Sequence, residues 1–159
     1  MLDREPVIAE VAVVEGAAEV APTKSAYLIS SGGFTRIGQW KLTGEGGFDL
    51  SDPAPKDPGV YAFILDDEIV YVGLTLTGLH TRMGHYRRGH EDMVTSKRVN
   101  GLILEALRAG STVEVLVAMP RPAEWHSMPV NNAAGLEAGL ISHLLARWNI
   151  RGARKRKAA

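Results

Sequence analysis

The sequence predicts an α+β fold: a small central three-stranded antiparallel or mixed sheet flanked by helices, with an extra N-terminal β-hairpin. Three observations carry that expectation. Two apolar runs of strand character sit close together in residues 59 to 73, and a third follows at 112 to 119. Three segments with helical character fall between and after them. The order hairpin, helix, helix, strand, helix leaves the helices to cover a small sheet. At 159 residues and 45% hydrophobic content, the chain has the size of one ordinary domain with a real core.

Along the chain, residues 1 to 24 are rich in Ala, Val and Glu and end in Pro22, reading as a flexible acidic lead. A strand within VIAEVAVVE is compatible with its partial alternation. Residues 25 to 57 hold two expected strands, 26 to 30 and 34 to 42, with Ser31, Gly32 and Gly33 as the turn. They continue into TGEGGFDLSDPAPKDPG, whose Gly, Pro and Asp content marks a loop. The main unit spans 58 to 150. Within it Gly78 to Arg88 is a short helix and Val94 to Ala109 a longer one, with Val99, Leu102, Ile103 and Ala106 at helical spacing. Pro120 ends the strand at 112 to 119, RPAEWHSMPVNN is a loop, and Ala133 to Arg147 is the last helix, capped by Asn131 or Asn132. Residues 151 to 159 read as an expected basic, flexible tail.

The formal net charge is zero, yet it is unevenly placed. The first 22 residues carry Asp3, Glu5, Glu10, Glu15 and Glu19 against Arg4 alone, while the end carries Arg147, Arg151, Arg154, Lys155, Arg156 and Lys157. The absence of cysteine excludes disulfides, thiolate zinc sites and thiol nucleophiles. His80, His85 and His90 recur every five residues, a spacing that spreads them around a helix, so no zinc site is expected. The N-terminus lacks the pattern of a signal peptide, and no apolar run approaches the roughly 20 residues of a membrane span. A cytoplasmic protein without membrane contact is expected.

The stretch GVYAFILDDEIVYVG carries one tyrosine on each arm of a hairpin. A two-residue turn at Asp66–Asp67 with regular pairing would put Tyr61 and Tyr71 on opposite faces. A three-residue loop, or an equivalent bulge, would set Phe63 opposite Tyr71. It would gather Tyr61, Phe63, Leu65, Ile69 and Tyr71 on one face, leaving Val60, Ala62, Ile64, Val70, Val72 and Leu74 on the other. The second register separates aromatic from aliphatic side chains and is preferred. Strand tyrosines are ordinary by themselves, because cross-strand aromatic pairs stabilise sheets.

In combination these residues resemble the GIY-YIG nuclease superfamily. GVY, then YVG, then Arg82 in LHTRMGHY, Tyr86 one turn on, Glu137 in GLEAGLI and Asn149 in RWN follow that family's order over residues 58 to 150. Leu74 departs from the family's repair branch, which has lysine there. The resemblance implies a metal-dependent endonuclease hydrolysing phosphodiester bonds in DNA. Glu137 would bind one Mg²⁺ or Mn²⁺, Arg82 would clamp the scissile phosphate, and Tyr61 or Tyr71 would orient or deprotonate water, with Tyr61 favoured as base. Tyr86 and His85 would contact phosphate or relay a proton, and Asn149 would fix the end of the last helix or the tyrosine segment. Each assignment has a plain competitor: Glu137 lies in the first two turns of its helix, where an acid favours the dipole, and Asn149 suits a C-terminal cap.

Arg87, Arg88, Lys97 and Arg98, with Arg151, Arg154, Lys155 and Arg156 in the tail, are candidates for neutralising DNA phosphates, single- or double-stranded. One alternative is a nucleic-acid-binding module with this fold and little turnover. Another is an interaction protein in which Trp40, Trp125 and the acidic lead dock a protein partner.

Overall fold

A computed structural model describes residues 21 to 150. The acidic lead up to Val20, including VIAEVAVVE, and the tail with Arg151, Arg154, Lys155 and Arg156 lie outside the described residues. Ten elements follow in chain order: β1 (Thr35–Leu42), β2 (Phe48–Leu50), β3 (Gly59–Leu65), β4 (Glu68–Thr75), α1 (Leu79–Arg88), α2 (Val94–Arg108), β5 (Val113–Ala118), β6 (Ala123–Trp125), β7 (Met128–Val130) and α3 (Asn132–Leu144). A π-type turn, Tyr27–Ser31, precedes β1.

The main sheet has five strands in the order β2-β1-β5-β3-β4, all antiparallel, not the expected three. The expected hairpin at 26 to 42 does not form. Residues 27 to 31 coil into the π-type turn, and Leu28 and Phe34 bury themselves on the β3–β4–β5 face. β1 pairs instead with β2, across the turn closed by Thr43 N–H to Gly47 carbonyl (2.9 Å), and with β5. A five-residue apolar run fits one helical turn as well as a strand, so local pattern could not separate them.

The tyrosine hairpin meets the expected outcome by the bulge and not by the odd loop. Asp66 and Asp67 form a two-residue turn, both with positive φ (46° and 74°), so Leu65 faces Glu68. Such turns match the twist of the strands, and Asp tolerates the left-handed region better than most residues. Asp66 is held by its backbone N–H to the Thr112 carbonyl (3.0 Å) and by Thr112 N–H to its carboxylate (2.9 Å); Asp67 accepts from the Ser25 hydroxyl and backbone N–H. The register then slips by one between Phe63 and Ile64, so that Phe63 faces Tyr71 and Tyr61 faces Gly73. The extra residue exchanges two expected positions: Val70 joins the aromatic face, and Ile69 the aliphatic one.

Two cores result. One side of the sheet packs Trp40, Phe48, Tyr61, Phe63 and Tyr71 against α1 and α2; the other packs Val60, Ala62, Ile64, Val72 and Leu116 against Leu28, Phe34 and α3. α3 is capped by Asn131, whose side chain accepts from Ala134 N–H (3.0 Å). It ends at Leu144, short of the expected Arg147, with Leu145 in the left-handed conformation. The 121 to 132 loop contains the small hairpin β6–β7. Trp40 is 2% exposed, so it belongs to the core and not to a docking surface. Among the described residues, no helix is long and apolar enough to cross a membrane.

Candidate active site

Antiparallel pairing brings the start of β3, the end of β4 and the end of β5 to one end of the sheet. α1 begins there. The turn into it is shaped by Thr75, whose Oγ accepts from Thr77 N–H (3.3 Å) and Gly78 N–H (3.2 Å). Gly78 has φ 129°, and a Cβ there would sit 2.5 Å from the Lys56 carbonyl oxygen. The Pro-rich loop supplies caps for the helix: Leu79 N–H donates to the Asp57 carbonyl (2.9 Å) and His80 N–H to that of Pro55 (2.7 Å). These bonds satisfy N-terminal amides that a helix leaves without internal partners. They also fix the rotation of α1, which points Arg82 and Tyr86 at the aromatic face of the hairpin.

Arg82 is the hub. Its Nε donates to Tyr61 Oη (3.1 Å), Nη2 to Tyr86 Oη (3.0 Å) and Nη1 to Ser96 Oγ (3.1 Å). Its guanidinium carbon lies 4.6 Å from the Tyr86 ring centroid. The phenols are also bonded to one another, Tyr61 to Tyr86 at 2.6 Å and Tyr86 to Tyr71 at a long 3.3 Å. All three rings are buried. Gly73 makes this packing possible: a Cβ there would lie 2.4 Å from both Cζ and Oη of Tyr61, so only glycine lets the ring cross the neighbouring strand.

Burial pushes the Tyr61 phenol up to about 12, with Tyr71 adding to the rise and Arg82 and the Tyr86 hydrogen bond opposing it. Burial also raises Tyr86 well above the ordinary phenol value, again assisted by its tyrosine neighbours. For Arg82, burial works against the charge, but the phenol oxygens of Tyr61 and Tyr86 outweigh it and the guanidinium is held more firmly protonated. His85 is pushed down, first by burial and then by the charges of Arg82 and Arg88, and its Nδ1 is buried without a hydrogen-bond partner.

A groove of about 380 Å³ opens beside this cluster. Tyr61, Tyr71, Arg82, Arg98, Glu137 and Asn149 all line it, so strands, α1, α2 and α3 each contribute a chemically useful side chain. Glu137 is half-buried on α3. Asn149 is not a helix cap. Its side chain accepts from Val72 N–H and donates to the Val72 carbonyl, both at 2.9 Å, while Trp148 N–H bonds the Val70 carbonyl at 2.9 Å. The residues after α3 therefore pair with the edge strand that carries Tyr71.

The other basic candidates divide. Arg98 reaches the groove. Lys97 is exposed and paired with Glu91 (3.1 Å). Arg87 and Arg88 line a different cavity, of about 550 Å³, between α1 and β2, where Arg87 pairs with Asp49 (3.6 Å). Sequence reasoning missed Ser96, which anchors Arg82, and placed Gly73 in the YVG motif without giving it a packing role. A serine inside a helical run carries no signal of its own, whereas glycine directly opposite a tyrosine marks a close approach once the register is known.

The fold belongs to the α+β class, with an antiparallel sheet covered by helices and a phenol–guanidinium–carboxylate groove at one end. A glutamate-to-alanine variant of bacteriophage T4 EndoII, a GIY-YIG nuclease, has a similar structure, with a TM-score of 0.67 and 25% sequence identity over 77% of this chain and 96% of that one. The restriction endonuclease HPY188I in complex with product DNA is a more distant likeness, with a TM-score of 0.46 and 13% identity over 82% of each chain. No protein-family model matches the chain, and no curated protein does. The first likeness agrees with the GIY-YIG resemblance carried by the motifs.

Proposed function

We propose that this protein is an endonuclease that hydrolyses phosphodiester bonds in DNA at the groove between the tyrosine cluster and α3. The observation that carries the reading is the convergence of Tyr61, Tyr71, Arg82 and Glu137 on one groove, from four separate elements of the chain. The likeness to EndoII supports the activity class.

Arg82 is the phosphate clamp. A guanidinium has five N–H donors, and three are directed at Tyr61, Tyr86 and Ser96. Two remain for non-bridging oxygens, in an orientation set by the other three. Each phenol has one proton. Tyr86 can give its proton to Tyr61 at 2.6 Å or to Tyr71 at a long 3.3 Å. Tyr61 and Tyr86 both accept from Arg82, so we assign them the holding of its guanidinium, and contact with the attacking water to Tyr71, which also lines the groove. Burial holds the Tyr61 phenol up at about 12, which favours its protonated form and a positioning role.

The donor set around Glu137 suits a hard divalent cation. Among the described residues there is no group of three or more His, Cys, Asp or Glu arranged for a metal. One carboxylate facing a substrate groove fits Mg²⁺ or Mn²⁺, which retain waters and accept substrate oxygens, better than it fits zinc. Glu137 would hold the ion, which when bound supplies charge stabilisation at phosphorus oxygens and a more acidic water. Arg98, and in the wider surface Lys97, would neutralise flanking phosphates.

The test is incubation of the full chain with supercoiled plasmid and with labelled single-stranded oligonucleotide, in Mg²⁺, Mn²⁺ or a chelator. Cation-dependent nicking or cutting is expected. Binding without cutting in every cation would leave only the nucleic-acid-binding module.

A further inference from the structure

The β6–β7 hairpin is absorbed by neither core. Its pairs are Ala123 with Val130, Glu124 with Pro129 and Trp125 with Met128. Directly paired residues share a face and alternate positions change face, so Trp125, Met128, Ala123 and Val130 lie on one side. That side is open: Trp125 is 68% exposed, Met128 60% and Val130 38%. Large apolar side chains gathered on a solvent face mark a contact surface more often than chance exposure. The turn is a tight two-residue one, with His126 and Ser127 both at positive φ (48° and 65°), and the base is closed by Asn132 Nδ2 to the Arg121 carbonyl (2.9 Å).

Position narrows the occupant. The hairpin leaves the end of β5 and enters the start of α3, so it is rooted at the sheet end that holds the groove. Exposed Leu76 and Met119 belong to the same end. Five helical residues from Asn132 to Glu137 and three strand residues in the hairpin limit the separation to at most roughly 18 Å, or up to about five base steps of DNA. The face is also small. Trp125, Met128 and Val130 together expose on the order of 300 Å², against the roughly 800 Å² of accessible surface that each partner gives to a stable protein interface. One indole is, however, the size of a single base.

We propose that the β6–β7 hairpin is a nucleic-acid contact in which the Trp125 indole stacks on an unpaired or everted base a few nucleotides from the cleaved bond. This rests on the endonuclease reading, whose groove supplies the phosphate contacts. Stacking tolerates any base, so the contact strengthens binding without reading sequence.

Tryptophan emission reports on it directly, because Trp40 and Trp148, the other two of the three tryptophans, are buried at 2% and 6% exposure. Full-length Glu137→Ala protein is titrated with labelled single-stranded DNA and with duplex carrying an unpaired base. DNA anisotropy and tryptophan emission are followed together. Emission should be quenched in parallel with the anisotropy rise. Trp125→Ala in the same background should bind about tenfold more weakly, the loss of one base–aromatic stack, and Trp125→Phe should restore most of it. In the active protein Trp125→Ala should raise KM about tenfold and move kcat less than twofold. DNA that binds and is cut with no quenching and an unchanged KM in Trp125→Ala would overturn the hairpin contact and leave the endonuclease reading standing. A concentration-dependent dimer lost in Trp125→Ala, with DNA binding unchanged, would assign the face to a second copy and overturn it too. No DNA binding or cutting by any variant would overturn both.

Discussion

Residue 73 has no room for a Cβ, because the Tyr61 ring occupies that space at 2.4 Å. The two residues are direct cross-strand partners, and the bulge at Val70 puts them opposite each other. Gly73→Ala must therefore displace the ring that Arg82 Nε bonds. Forcing a methyl group into such packing costs about 1–3 kcal/mol. The variant should lose stability by that amount in urea denaturation, and it should lose DNA cleavage by a larger factor than its residual folded fraction explains.

Asn149 replaces a missing strand neighbour for Val72. Asn149→Ala leaves a backbone N–H and C=O beside Tyr71 without these partners, at a cost of about 1–3 kcal/mol. Chemical denaturation should show that loss. Hydrogen exchange at Val72 N–H should accelerate more than at Ala62 N–H in the interior strand. Equal protection at both amides would assign the asparagine no role in holding β4.

Arg82→Lys keeps a charge and removes the fork. A lysine cannot bond Tyr61, Tyr86 and Ser96 at fixed angles and still present two donors to phosphate. Cleavage should fall about 100-fold or more, the scale of losing a preorganised donor at a site of developing charge. DNA affinity, measured by anisotropy, should fall much less.

The buried phenols set a pH limit on stability. The Tyr61 pKa is raised from 10.0 to about 12 on folding, so between those values the native state binds more protons than the unfolded one. The stability it contributes is full below pH 10 and is lost as pH rises through about 12. Melting temperature should hold level on approach to pH 10 and drop above it. Tyrosinate absorbance should show Tyr61 and Tyr86 ionising late, together with unfolding. Ionisation of Tyr61 and Tyr86 near pH 10 in a folded protein would contradict the buried cluster.

Much of this site is legible in the residues themselves. α1, α2 and β5 follow local periodicity, and the separation of aromatic from aliphatic side chains is enough to favour a register with Tyr61 and Tyr71 together. How the chain achieves it is not legible, because Asp66–Asp67 suits a two-residue turn and a bulge leaves no mark in alternation. The pairing of β1 with β5 joins residues from 73 apart, Trp40 with Val113, to 82 apart, Thr35 with Val117, and rests on tertiary packing that no local pattern encodes. Arg82, Tyr86, Glu137 and Asn149 are legible through motif order. Ser96 and the strand-pairing role of Asn149 arise from tertiary contacts that motif order does not carry.

The central claim is that Arg82, the three phenols and Glu137 form one phosphodiester-cleaving site. The direct measurement is DNA cleavage in Mg²⁺ or Mn²⁺ by wild type, Arg82→Ala and Glu137→Ala, each shown to be folded by its melting curve. The account predicts cation-dependent cutting by the wild type that falls at least about 100-fold in both variants, with DNA binding retained by Glu137→Ala. Equal cutting by all three proteins, or none by the wild type on either strand form, would contradict it.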